Sequence, residues 1–413
     1  MIYTETFPCG LRFAFKQSRS QVAYVSLTVK SGTRNEPAGF PGMAHMTEHM
    51  LFKGTENRTP QEISNRLELL GGDLNAYTTK EETVIYATVL KEDLEKAVDL
   101  LFEIVFKSVF PQKELEKERN VVNDEINMYK DSPSESIFDD FEECLYGNHL
   151  LSRPILGSAK GLKRIVSEDI RDYVRTNFTP DNMCISVVAG ITPARAEKIA
   201  QEAVGKYVPQ DYKPQERPVP ALEGGSLSAG VPFSREVSRK DHQANCIIGT
   251  TAYSFYDEDR LAMILLSNIL GGPGSNSILN QELREKNALV YNIDSIYTQY
   301  ADTGSLLIAF GCEKHNLKKC VELTMAQLAA LRDNPLSDKK VQEARKQLLG
   351  QLAIASDSGE AQSLSMGKSL LVFGRIMPDE EVRERINAIT AAQLQRVAQT
   401  VLAPQRLSTL IYK

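Results

Sequence analysis

The amino-acid sequence predicts an α+β protein of two duplicated domains, each a mainly antiparallel sheet packed with helices. Its length of 413 residues suits about two domains, judged at about 150–200 residues each. Short runs rich in β-branched or aromatic residues are interspersed with longer amphipathic segments, so strands and helices occur together. Segments of the two halves also recur at a near-constant offset, which favours an internal duplication.

The recurrence is clearest at the end of each half. Ile165 to Pro180 spans 15 positions, as does Ile389 to Pro404, and each segment is a predicted helix that leads through its proline into a strand. The offset between these segments is 224 residues. Residues 97–100 likewise resemble residues 320–323, at an offset of 223. We therefore predict duplicated domains at residues 1–208 and 231–413.

Local patterns place the elements of the first half. Runs of β-branched and aromatic residues predict strands at residues 12–16, 22–30, 74–78, 83–90 and 182–189. A helix carrying His45–His49 should stop near Gly54, and the next helix begins with a capping box at Thr59. Further helices are predicted at residues 92–106, 111–129, 134–145 and 167–177.

Proline and glycine mark a linker at residues 209–230 between the two domains. Pro209, Pro214, Pro218 and Pro220 are followed by Gly224, Gly225 and Gly230, and such a stretch cannot be helical throughout. Beyond it, strands are predicted at residues 246–251, 305–310 and 407–412, and helices at residues 257–270 and 317–332.

Composition limits the classes of partner. Hydrophobic residues make up 42% and charged residues 25% of the chain, and the net charge of −6 gives no sign of a nucleic-acid ligand. The six cysteines form no C-x-x-C pair, so we expect free thiols in a reducing compartment. No basic segment followed by an apolar run opens the chain, and no run approaches ~18 apolar residues. We therefore expect a cytoplasmic protein without a membrane span.

Residues 42–54 contain the clearest candidate for chemistry. His45 and His49 are one helical turn apart on the same face, and Glu48 lies beside them. Two imidazoles so placed can share one Zn²⁺, with a carboxylate near the remaining position. The alternative is a solvated helix with two incidental histidines, but the neighbouring methionines indicate a buried helix. The duplicate half has no such motif, so only the first half can hold the metal.

A third ligand is expected from the helix predicted at residues 111–129. Glu118 and Glu125 are seven positions apart and share a face with Val121 and Val122. Acids beside an apolar stripe are unusual, whereas Glu114 has the pattern of a solvated charge. Glu125 is the candidate, although spacing does not choose between it and Glu118.

Here the sequence resembles a known family. The inverted order His45-Met46-Thr47-Glu48-His49, with Glu125 placed 76 residues after His49, is similar to the zinc motif of the pitrilysin/insulinase family, the inverzincins. The segments 42–54, 75–78 and 118–125 are similar as well, and the resemblance covers essentially the whole chain. It is closest to half-length bacterial members related to mitochondrial processing peptidase. Met46-Thr47 departs from the aromatic and aliphatic residues common there, which should alter packing rather than ligation.

The resemblance implies roles for these residues. His45, His49 and Glu125 would bind one Zn²⁺ per subunit. Glu48 would be the general base that works with metal-activated water, and Glu118 would orient a ligand. The implied function is a zinc-dependent endopeptidase that hydrolyses peptides or unfolded segments.

The resemblance extends to substrate contacts. Arg284 and Tyr291 match an arginine and a tyrosine that bind the substrate and the developing oxyanion, although Asn287-Ala288 departs from the usual arginine-glycine. The alternative there is a charged helix end followed by a strand with a half-buried tyrosine. Asn75, Ala76 and Tyr77 are expected on an edge strand that binds extended peptides by strand addition, or else in an ordinary strand with Tyr77 in the core. Residues 271–274 resemble a glycine-rich substrate loop, but a turn between helices is an equal alternative.

The resemblance also implies an assembly. Full-length relatives fuse two such halves into a closed chamber, so a homodimer in which each subunit completes the other's site is the simplest expectation. A heterodimer with a zinc-less half is the alternative. The competing function is a non-catalytic or slow peptide-binding or structural subunit of the same family. The sequence does not specify the physiological substrate or the cleavage preference.

Overall fold

The computed structural model describes residues 2–218, 221–222, 225–228, 230–239 and 242–413. The chain divides into two units, each built from three separate stretches. The first unit comprises Met1–Asn127, Arg153–Arg217 and Ile354–Ile376, and the second comprises Met128–Ser152, Pro218–Ala353 and Met377–Lys413.

Strands and helices alternate along the chain, which confirms the α+β class. The strands are β1 (Ile2–Thr6), β2 (Arg12–Gln17), β3 (Val22–Val29), β4 (Asp73–Thr78), β5 (Thr83–Leu90), β6 (Met183–Ala189), β7 (Ser234–Val237), β8 (Gln243–Ala252), β9 (Val290–Gln299), β10 (Gly304–Glu313) and β11 (Ser408–Tyr412). The helices are α1 (Met43–Leu51), α2 (Pro60–Glu68), α3 (Leu94–Lys107), α4 (Gln112–Lys130), α5 (Pro133–Tyr146), α6 (Ala159–Leu162), α7 (Ser167–Asn177), α8 (Pro193–Tyr207), α9 (Arg260–Gly271), α10 (Leu317–Asp333), α11 (Asp338–Ala355), α12 (Gly359–Phe373), α13 (Asp379–Ala388) and α14 (Ala391–Val401).

The two sheets repeat one topology. The first has the order β1-β2-β6-β3-β5-β4, and the described part of the second has the order β7-β11-β8-β10-β9. Strands β2 and β6 pair in parallel, as do β7 and β11, whereas the other pairs are antiparallel. The second order therefore repeats the order of β2 to β4 strand for strand, which is the topology of a duplication.

Helices cover both faces of the first sheet. Helix α3 packs on β3 and β5, helix α8 packs on β2, and α12 packs on β2, β3 and β6. Strand β6 is consequently buried at every position, and its sequence is a continuous apolar run broken only by Ser186 rather than an alternating one. Strand β4 has a single neighbour, β5, and is an edge of the sheet.

The units exchange helices between the halves of the chain. Helix α5 belongs to the first half by sequence but packs on β8 and β11, whereas α12 belongs to the second half but packs on the first sheet. Small residues bring α12 close to its sheet: a Cβ on Gly367 would lie 2.6 Å from the Thr28 hydroxyl oxygen. The hydroxyl of Ser363 is 2.8 Å from that of Ser26.

The sequence predicts some elements only in part or not at all. Strand β9 is expected only in the alternative interpretation of Tyr291, because Asn292 and Asp294 make it polar and mask the strand pattern. In α11 only Val341 and Leu348 are buried, which gives a weak helical periodicity. The contiguous boundaries 1–208, 209–230 and 231–413 stay a prediction about the duplicated halves, and the units of the fold do not follow them. In the linker, residues 219, 220, 223, 224 and 229 lie outside the described part.

All six cysteines are free, and five of them are buried. No helix within the described ranges combines the length and apolarity needed to cross a membrane.

The helix exchange predicts that the two fragments of a chain cut in the linker remain associated. A protease site inserted between residues 218 and 226 would be cleaved, and the fragments should co-elute in gel filtration, because each unit contains segments of both fragments. A chain that ends at Arg217 lacks α12 and the buried Met366, Leu370 and Leu371. Its free energy of unfolding, measured with denaturant, should be about 5 kcal/mol lower than that of the first unit in the full chain, because the contacts of these residues are lost. Elution of the cut fragments as two separate folded monomers would contradict the exchange.

Candidate metal centre

Helix α1 is buried on most of its surface. Met43, Ala44, Met46, Thr47, Met50 and Leu51 are all buried. The helix starts at Gly42, whose φ of 93° lies in the left-handed region and whose Cβ, if present, would lie 2.9 Å from a Leu162 methyl carbon. The start of the helix is therefore fixed by close packing, and its half-buried face carries His45, Glu48 and His49.

The structure brings His45, His49 and Glu125 together. Their ligand atoms lie within 4.8 Å of one another, and this is the one such group of His, Cys, Asp or Glu in the part of the chain that the structure describes. The Nε2 atoms of His45 and His49 are 3.8 and 3.7 Å from Glu125 Oε2. Two tetrahedral ligands at about 2.05 Å from one ion would be ~3.4 Å apart, so a small contraction would fit Zn²⁺. Two imidazoles and a carboxylate are also a donor set of catalytic zinc sites.

The two histidines are held differently. His49 Nδ1 lies 3.0 Å from Glu118 Oε2, and Glu118 Oε1 lies 2.6 Å from Lys53 Nζ. His45 Nδ1 is buried and has no hydrogen-bond partner in the described structure. Burial, followed by the charge of His49, lowers the pKa of His45 to about 4. His45 is therefore neutral at about pH 7, which is the form in which an imidazole can ligate a metal ion.

The two glutamates of α4 have different environments. The side chain of Glu118 is 10% exposed and that of Glu125 is 37% exposed. Burial acts to raise the pKa of Glu118, but hydrogen bonds and charges from Lys53 and His49 outweigh it and lower that pKa. Glu118 is thus a charged carboxylate facing the Nδ1 side of His49, while Glu125 faces the Nε2 side.

Glu48 lies beside the cluster and is held by strand β4. The hydroxyl of Thr78, the last residue of β4, donates a short hydrogen bond to Glu48 Oε2. Burial raises the pKa of Glu48, opposed by the Thr78 hydrogen bond and the charge of His49. The edge strand is therefore tied directly to the predicted general base.

Asn75, Ala76 and Tyr77 lie on that same edge strand. They pair with Tyr86, Ile85 and Val84 of β5. Asn75 is exposed and Ala76 and Tyr77 are half-buried, so Tyr77 is not a fully enclosed core residue.

Arg284 and Tyr291 lie in the second unit and contact each other. The Arg284 guanidinium carbon is 5.7 Å from the centre of the Tyr291 ring. Tyr291 is 85% exposed, whereas the interpretation as a charged helix end followed by a strand expects a half-buried tyrosine. Between them, Ala288 has φ +50°, a left-handed conformation that favours glycine. The departure from glycine at this position therefore places a strained residue in the loop.

The glycine-rich segment 271–274 follows helix α9. A Cβ on Gly272 would lie 2.6 Å from the backbone carbonyl oxygen of Asn268, so the turn itself requires glycine. Asn276 and Gln347 exchange two amide hydrogen bonds of 3.2 and 3.1 Å, which fix this segment on α11. These contacts favour the interpretation as a turn between helices.

Sequence reasoning missed two residues that contact the centre. Lys53 lies one turn beyond His49, so its spacing was an available signal for the contact with Glu118. Thr78 contacts Glu48 from a distance of 30 residues along the chain, and no local pattern signals that pairing.

The chain is similar to known proteins over its whole length. Residues 12–159 match the family model described as insulinase (peptidase family M16), and residues 164–348 match the model described as peptidase M16 inactive domain. The uncharacterized zinc protease YmxG of Bacillus subtilis is 29% identical and covers 100% of this chain and 98% of its own. An uncharacterized zinc protease of Streptomyces coelicolor is 29% identical over 96% of this chain and 86% of its own.

Solved structures share the fold. The chain is similar to a peptidase M16 inactive domain from Pseudomonas fluorescens, with a TM-score of 0.89, 20% identity and coverage of 100% and 97% of the two chains. It is also similar to a protease from Helicobacter pylori, with a TM-score of 0.89, 21% identity and coverage of 100% and 99%.

Replacing Glu118 should weaken zinc binding. In Glu118→Gln the charged acceptor of His49 is lost, so zinc affinity measured by competition with a chelating indicator should fall about 10–100-fold. Glu114→Gln is the matched control, because Glu114 lies one turn earlier and pairs with Lys117 at the surface. Equal zinc affinity in both variants would show that the contact between Glu118 and His49 does not support the site.

Proposed function

Because the chain belongs to the insulinase family of peptidases, family M16, we propose that it is a zinc-dependent endopeptidase that hydrolyses peptides or unfolded segments inside a dimeric chamber. The cluster of His45, His49 and Glu125, with Glu48 beside it, is the observation that carries this proposal. The zinc proteases to which the chain is similar support the metal and the reaction class.

His45, His49 and Glu125 would hold one zinc ion per subunit. When bound, zinc lowers the pKa of a water molecule from 15.7 to about 7 and polarises a carbonyl group. Glu118 keeps His49 in place, because it accepts the Nδ1 hydrogen and leaves Nε2 facing Glu125.

Glu48 moves the proton in this proposal. Its carboxylate accepts a proton from the attacking water and delivers it to the nitrogen of the leaving amine. The hydrogen bond from Thr78 fixes one carboxylate oxygen, so Glu48 is aimed by the strand that would also bind the substrate.

Substrate binding is assigned to two places. Strand β4, with Asn75, Ala76 and Tyr77, has a free edge on which an extended peptide can add as a further strand. Backbone pairing of this kind tolerates many sequences, which suits unfolded segments. Arg284 and Tyr291 would bind the substrate carbonyl and the developing oxyanion, and the exposure of Tyr291 makes its hydroxyl available for that role.

We propose a homodimer in the cytoplasm, with peptides or unfolded proteins as partners and neither nucleic acid nor membrane. The chain spans 98% and 86% of the length of two relatives that it matches. A heterodimer with a zinc-less half is the alternative assembly.

A non-catalytic, peptide-binding or structural subunit is the alternative function. The description of the second matched domain as inactive favours it. That domain spans residues 164–348, however, whereas the metal cluster lies in the segment that matches the insulinase domain. The inactive description therefore agrees with a zinc-free second half beside a zinc-bearing first half.

Hydrolysis should depend on Glu48 and on the metal. Purified Glu48→Gln should bind zinc like the unsubstituted chain yet lose at least about 10³-fold in kcat on a quenched-fluorescence peptide, because proton transfer is removed. A chelator should abolish cleavage by the unsubstituted chain, and added zinc should restore it. Normal turnover by zinc-loaded Glu48→Gln would exclude the assignment, and zinc binding without any cleavage would favour the peptide-binding alternative.

The dimer should share its sites between subunits. Mass measurement of the purified protein should give twice the chain mass of 46.0 kDa. If each site combines the zinc of one subunit with Arg284 of the other, mixing inactive Glu48→Gln and Arg284→Ala chains should restore about a quarter of the activity through mixed dimers. If the protein is a dimer and mixing restores no activity, Glu48 and Arg284 of one site belong to the same chain. A monomer would exclude shared sites.

A further inference from the structure

A buried acid caps the helix that carries the metal ligands. Glu36 lies in the loop before α1 and is 5% exposed. Its Oε1 accepts hydrogen bonds from the backbone N–H groups of Gly42 at 3.1 Å and Ala44 at 3.0 Å. These groups are at the start of α1, where backbone donors have no partner within the helix, and Ala44 directly precedes His45.

Glu36 is itself fixed by neighbouring segments. The guanidinium of Arg153 donates to the Glu36 backbone carbonyl at 2.7 Å, and Lys80 Nζ donates to the Arg153 carbonyl at 2.6 Å. Burial raises the pKa of Glu36 to about 7, opposed by the hydrogen bonds from Ala44 and Gly42 and by the charges of Arg153 and Lys80. Oε1 accepts its two hydrogen bonds whether or not Oε2 is protonated.

The contrast between the two histidines gives this cap its significance. His49 is oriented by a side-chain partner, Glu118, at its Nδ1. The corresponding atom of His45 has no partner within the described structure. The direction of the His45 ring therefore depends on its packing and on the backbone of the first turn of α1. Glu36 holds that backbone.

Glu36 differs from an ordinary N-cap residue in its position and in the cost of its burial. Serine, threonine, asparagine or aspartate at the residue before a helix satisfies its first donors at low desolvation cost, as Thr59 does for α2. Glu36 instead lies six residues before Gly42 and buries a carboxyl group against the start of the helix. Its second oxygen, Oε2, is buried without a hydrogen-bond partner among the described residues, which is costly.

We propose that Glu36 is a positioning residue for zinc binding, which holds the first turn of α1 so that His45 points at the site shared with His49 and Glu125. This inference rests on the proposed zinc peptidase function. Glu36 touches neither metal nor substrate, and it acts through the backbone of Gly42 and Ala44.

Zinc affinity of the Glu36 variants tests this role. Glu36→Ala removes both hydrogen bonds, and its zinc affinity, measured by competition with a chelating indicator, should fall at least about tenfold. Glu36→Gln keeps an oxygen acceptor at the same distance and should bind zinc within about threefold of the unsubstituted chain. The absorption bands of bound Co²⁺, which report coordination geometry, should shift in Glu36→Ala and not in Glu36→Gln.

Thr59→Ala is the matched control, because it removes the cap of α2, a helix that carries none of the proposed ligands. It should lower the melting temperature of the metal-free protein but leave zinc affinity and the Co²⁺ spectrum unchanged. If Glu36→Ala does not fold, Glu36→Asp, which is one methylene shorter, replaces it with the same expectation.

The outcomes separate the two proposals. Zinc binding by Glu36→Ala as tight as that of the unsubstituted chain, or a loss no larger than that of Thr59→Ala, overturns the positioning role. Failure of the unsubstituted chain to bind zinc overturns the proposed function instead.

Discussion

Helix α1 is buried on most of its surface and yet carries two imidazoles and a carboxylate, and other elements of the first unit supply partners for these side chains, with the buried His45 Nδ1 as the exception in the described structure. Burial of polar groups is costly unless each finds a partner. Their partners come from different elements, Glu118 and Glu125 from α4 and Thr78 from β4. Glu36 of the preceding loop accepts instead from the backbone N–H groups at the start of α1. The position of α1 therefore determines where the edge of the sheet, helix α4 and the loop have to lie.

The duplication shows what the candidate metal ligands add to a shared scaffold. Both sheets have the same strand order, and α9 follows β8 much as α1 follows β3. Helix α9 buries Leu265, Leu266 and Leu270 and contains no histidine, so it needs none of the polar partners that surround α1. The second half is thus free to carry other chemistry at the start of β9, where Tyr291 is exposed.

Sequence predicts the parts of this structure that depend on local spacing. The placement of His45 and His49 on one face follows from the helical repeat, and the capping box at Thr59 follows from the spacing of Thr59 and Glu62. Spacing could not separate Glu118 from Glu125, because both share a face of α4 and differ only in what surrounds them. The contact of Thr78 with Glu48 and the exchange of α5 with α12 depend on distant segments, which leave no local pattern. Glu36 is only six residues from Gly42, but a glutamate that caps a helix through an intervening loop has no fixed spacing to signal it.

The charges around the cluster explain why the two acids of α4 have different roles. Lys53 compensates Glu118, whereas no lysine or arginine of the described chain forms an ion pair with Glu48 or Glu125. His45, the other histidine beside Glu125, is neutral because burial lowers its pKa to about 4. Two clustered carboxylates, with a neutral His45 beside them and no lysine or arginine of the described chain paired with them, leave a local excess of negative charge in a partly desolvated site. A divalent cation removes that excess, so the electrostatics favour the same ion that the geometry of the three ligands fits.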